Sequence, residues 1–82
     1  MATFIDIHDV PGVKAAAAAD AHAADLRVQG RYGVDYQRYW VDEEAGTLFC
    51  LVEAPDAATA ALVHREAHGL EAHVLHEVQQ GG

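Results

Sequence analysis

The chain predicts an α+β domain of order β-α-β-β-α-β, and three observations carry that reading. Two alanine-rich helical runs, each closed by a glycine, separate short stretches of β-branched and aromatic residues. A turn-forming segment from Glu43 to Gly46 joins two of those stretches into a hairpin, and the two halves of the chain repeat the order strand, helix, strand.

Thr3 to Asp9 alternates as a half-buried strand does, with Ile5 and Ile7 on one side and Phe4, Asp6 and His8 on the other, until Pro11-Gly12 breaks it. Val13 to about Gln29 has very high helix propensity through Ala15 to Ala19, Ala21, Ala23, Ala24 and Leu26, and Gly30 is a natural stop. Val34 to Val41 is rich in Tyr, Trp and Val, and Thr47 to Ala54 is again β-branched and apolar. Pro55-Asp56 opens a second helix that Gly69 ends, Glu71 to Val78 makes a last strand, and the Gln79 to Gly82 tail is expected to fray. This order is the split βαβ, ferredoxin-like arrangement: an antiparallel sheet with both helices on one face, spanning residues 1–82 as one domain. The face away from the helices is expected to carry Phe4, Asp6 and His8 with Tyr36, Tyr39, Trp40 or Phe49. That is more apolar surface than a monomer leaves wet, so a homodimer is expected.

At 82 residues a single core is close to the minimum for independent stability, and association would help. The net charge of −8 repels phosphate backbones and anionic headgroups, which argues against nucleic-acid and membrane partners and modestly favours divalent cations. The first residues hold neither a basic stretch nor a long apolar segment, so a cytoplasmic location is expected. The lone cysteine excludes an internal disulfide, and Cys50 reads as a small buried hydrophobe of a core strand.

Six histidines against one cysteine point to a nitrogen and oxygen ligand set, suited to nickel, zinc, cobalt or copper. His64 and His68 stand four apart on the second helix, where two rings from one face can grip one ion. His68 also sits in the last helical turn, where a cation is favoured for structural reasons alone. His22 and Asp25 have the i, i+3 spacing on the first helix, with a solvated alanine-rich face as the alternative. Asp6 and His8 share one face of their strand, as ligands or as a hydrogen-bonded pair. His73 and His76 differ by three along a strand and face opposite ways.

Phe4-x-Asp6-x-His8, His22-x-x-Asp25-Leu26, Phe49-Cys50-Leu51-Val52-Glu53-Ala54-Pro55, Val63-His64-x-Glu66-Ala67-His68-Gly69 and a closing Glu77-Val78 resemble the small ferredoxin-like nickel-binding proteins over nearly the whole chain. The resemblance implies a homodimeric domain that binds Ni2+ for sequestration or handling of excess ion, through surface His and carboxylate ligands and without catalysis. His8, His22, His64 and His68 are the matching histidines, with Asp6 and Asp25 beside them, and metal-induced higher assemblies are a further expectation. The alternative is a small dimeric enzyme of monooxygenase or isomerase type, with Asp6 and His8 as acid and base between helices and sheet. Scattered ligands would favour sequestration and a converging pocket would favour chemistry.

Overall fold

The computed structural model describes all 82 residues. Strands β1 (Ala2–Asp9), β2 (Asp35–Asp42), β3 (Thr47–Ala54) and β4 (Val74–Val78) and helices α1 (Ala15–Val28) and α2 (Ala57–Ala67) follow the expected order. A 3-10 turn at Gln29–Tyr32, which the glycine stop at position 30 concealed, carries the chain out of α1. The last strand begins at Val74 rather than Glu71, because Gly69 to His73 crosses from α2 back to the sheet.

The sheet order is β2-β3-β1-β4 with every neighbouring pair antiparallel, the ferredoxin-like topology. The order puts β1 in the interior, flanked by β3 and β4, so any polar side chain on its covered face must find its partners inside the protein. Phe4, Tyr36, Val52, Ala54, Ala60 and Val63 form the main core.

The covered face is the one expected to be open. Phe4, Asp6 and His8 point under the helices, with Asp6 and His8 only 0% and 2% exposed, while Ile5 and Ile7 are partly buried on the other side. Hydropathy alone argues for isoleucines inward; the helices reverse that choice by supplying histidine and aspartate partners to a carboxylate that only a paired environment tolerates. Registers Ile5↔Leu51, Ile7↔Phe49, Ile7↔Val74 and Trp40↔Phe49 assemble an apolar open face, on which Trp40 is 50% exposed.

One irregularity matters for the site. In β2, Tyr36 pairs with Val52 and Arg38 with Leu51, so Gln37 is an extra residue with no partner opposite. Tyr36 and Tyr39, three apart, therefore both face the helices, where strict alternation would put them on opposite sides.

Candidate metal centre

Three elements bring one ionisable cluster together. β1 contributes Asp6 and His8 by alternation, and the register Asp6↔Cys50 sets the β3 thiol beside the carboxylate. From α2 comes His64, on the same buried side as Ala60 and Val63, and α1 contributes Asp25 across the gap between the helices. The end of α2 is tied at the site: the His64 carbonyl accepts from both the His68 and Gly69 N–H groups, and Gly69 has the positive φ of 77° that this helix stop requires.

The contacts form a chain of alternating acid and base. His8 Nε2 lies 2.9 Å from Asp6 Oδ1, His64 Nε2 lies 2.9 Å from Asp6 Oδ2, and His64 Nδ1 lies 2.8 Å from Asp25 Oδ1. His68 Nε2 reaches the same Asp25 oxygen at 3.0 Å. The Tyr36 hydroxyl sits 3.0 Å from Asp6 Oδ2 and 2.9 Å from the Ala60 carbonyl oxygen, two acceptors for its one proton. The His64 ring also stands edge-on to His8, with centroids 4.8 Å apart, and lies tilted against Tyr36 at 4.2 Å.

Electrostatics follows from that chain. Burial would push Asp6 up, but the His64 and His8 contacts hold its carboxyl well below the ordinary value. Asp25 is lowered in the same way, burial being outweighed by His64 and His68. Burial would push the imidazoles down, yet Asp6 raises His8 to about 9, and Asp25 with Asp6 raises His64 to about 11. The Tyr36 phenol is driven up by burial and by the Asp6 charge, so it remains a neutral donor. At neutral pH His8 and His64 as cations alternate with Asp6 and Asp25 as anions, and the charges of these four groups cancel.

Three ring nitrogens nevertheless lack a hydrogen bond: His8 Nδ1, and the Nε2 atoms of His64 and His68, whose short carboxylate contacts are out of hydrogen-bond alignment. Orphaned buried imidazole nitrogens are the mark of a site waiting for a further partner. Asp6, His8, Cys50 and His64 place one ligand atom each within 4.8 Å of one another, and so do Asp25, His64 and His68. Beside them is a void of about 10 Å³, lined in part by His8, Asp25, Cys50, His64 and His68. That is room for one water-sized occupant. Borderline nitrogen donors, hard carboxylates and one thiol in a space of atomic size fit a divalent transition metal ion.

Of the residues singled out in the sequence, Asp6, His8, Asp25, His64 and His68 converge. His22 borders the same void but joins neither ligand group; its ring packs 4.9 Å from Tyr39. The expected surface placement is corrected, since Asp6, His8, Asp25 and His64 are each at most 2% exposed. Burial follows from their mutual pairing, which pattern reading cannot see. The convergence is beside an ion-sized void. His73 and His76 are exposed and outside the cluster, His73 lying 3.7 Å from Asp9. Two members were missed. Cys50 shares the even-numbered face of β3 with Leu48 and Val52, a signal that it points where Asp6 points, and Tyr36 was hidden by the bulge.

Comparison with known proteins agrees with this fold. No curated protein matches the chain. A crystal structure of SCO4226 from Streptomyces coelicolor A3(2) superposes with a TM-score of 0.91 at 35% identity, covering 99% of this chain and 100% of that one. The family described as nickel responsive protein SCO4226-like matches residues 4–78. The chain therefore belongs to the SCO4226-like family of nickel-responsive proteins.

Proposed function

We propose that this protein binds Ni(II) in the buried cluster between sheet and helices and serves to sequester or hand on the ion. The observation that carries the reading is the set of orphaned imidazole nitrogens around an ion-sized void. Charge bookkeeping supports it. A divalent ion that displaces the protons of His8 and His64 leaves the cluster as neutral as before, so loading adds no net buried charge. Donor chemistry alone admits zinc, cobalt and copper too; the family's nickel responsiveness favours nickel.

His64 is the one residue common to both ligand groups, so it would be a ligand in either. Calorimetric titration of the apo protein with nickel, zinc, cobalt and copper tests the reading. His64→Ala should abolish the tight nickel step and His68→Ala should weaken it only if the Asp25 group is used. Nickel titration of a folded His64→Ala variant that matches the parent would refute the assignment.

The open sheet face supports a second part of the proposal, a homodimer. Ile5, Ile7, Phe49, Leu51 and Trp40 share that face, an apolar patch of the kind that marks an interaction surface. Metal-driven larger assemblies would then use exposed groups such as His73 and Asp9.

A further inference from the structure

We propose that the groove between α2 and the segment leading into β4 is the port through which hydrated nickel reaches the buried cluster, with Asp6 the first ligand it meets. This rests on the nickel-binding reading above and adds a route to it.

The groove measures about 340 Å³, and the inner end of it is formed by Asp6 and His64. His64 also borders the void of about 10 Å³, so its ring, with Asp6 beside it, stands where the larger space meets the smaller one. The sizes assign the roles. A divalent ion with six waters, at about 30 Å³ each, occupies roughly 180 Å³, which the groove holds and the void does not. The ion must shed its waters between the two. At that boundary stand a carboxylate that is 0% exposed and a His64 Nε2 with no hydrogen bond, groups able to replace waters one at a time.

The rim supports cation entry. Arg65 Nε and Glu71 Oε1 are 3.4 Å apart, with side chains 63% and 71% exposed, a solvated pair that separates easily. Glu71 draws the cation, and Arg65 offsets part of that pull. Ala58 and Ala61 form the α2 side of the groove, and their small side chains leave it open.

Stopped-flow mixing of the apo protein with nickel chloride tests the port. Ala61→Phe narrows the groove without touching a ligand, and should slow both loading and chelator-driven release about tenfold while leaving the dissociation constant unchanged, because a blocked route raises one barrier crossed in both directions. Glu71→Gln, on the exposed rim, should slow loading a few-fold, with the difference shrinking as salt rises. Ala23→Phe, on the exposed side of α1 and lining neither space, should leave both rates unchanged. Circular dichroism verifies folding, and Ala58→Phe replaces Ala61→Phe if the latter does not fold. Parent rates in the groove-filling variant, or equal slowing by Ala23→Phe, overturn the port while nickel binding stands. A parent protein that takes up no nickel overturns the metal reading itself.

Discussion

Nickel loading should release protons in a countable number. At about pH 7.5 the apo cluster holds His8 and His64 as imidazolium ions, because Asp6 and Asp25 raise them to about 9 and about 11. An imidazolium has no lone pair to give, so each ring that ligates must first lose its proton. An ion held by Asp6, His8, Cys50 and His64 displaces two imidazole protons, and a third if the Cys50 thiol binds as thiolate. An ion held by Asp25 and His64 displaces the His64 proton. Below about pH 9 the apparent affinity should then rise roughly a hundredfold per pH unit for two protons, or about tenfold for one. Calorimetric nickel titrations in buffers of different ionisation enthalpy give the number directly as the slope of observed heat against buffer enthalpy. A slope near zero at pH 7.5 would show that the rings are already neutral or are not ligands, and the charge-exchange argument would fail.

Three further outcomes are expected. Raised imidazoles contribute stability that is complete below their unfolded value of about 6.5 and lost as pH climbs through about 9 and then about 11, while the lowered Asp6 and Asp25 contribute above about 3.9 and lose it in acid. Thermal melts of the apo protein should therefore fall steeply on the alkaline side, and a melting temperature that is flat from pH 8 to 11 would contradict the pairing. Tyr36→Phe keeps the ring but removes the donor between Asp6 and Ala60, and should cost about 1–2 kcal/mol in urea unfolding; an unchanged midpoint would mean that the hydroxyl contributes nothing net. The nickel-loaded protein should show a near-ultraviolet sulfur-to-nickel charge-transfer band that Cys50→Ser abolishes, and absence of that band from the loaded parent would place the ion away from the Cys50 thiol beside Asp6.

Element order was legible because alanine runs, glycine stops and the turn from Glu43 to Gly46 are local signals. The residues of the cluster were legible as types, since Asp6 with His8 and His64 with His68 each share a side by simple periodicity. What periodicity could not supply was which side. Ile5 and Ile7 compete with Phe4, Asp6 and His8 for the interior, and the contest is decided by Asp25 and His64, distant in sequence, whose charges make an aspartate acceptable in the core. Cys50 is buried in a core strand as its sequence context indicates, and what that context could not show is its place beside Asp6, since a buried small hydrophobe and a buried ligand look alike until the cross-strand neighbour is known.

The unpaired Gln37 has a consequence for how such chains are aligned and engineered. It works as a phase shifter: it advances the strand by one position so that the tyrosine touching Asp6 and the tyrosine against His22 arrive in step. Deleting it would leave Tyr36 and Tyr39 two apart, the spacing at which an unbulged strand turns both toward the helices, whereas smoothing the bulge with the residue kept would turn one of them to the open face. A relative without that extra residue can keep both contacts only by spacing its two aromatic residues two apart instead of three. Spacing within this strand, and not the mere presence of tyrosines, is thus the character by which an intact floor beneath the cluster is recognised.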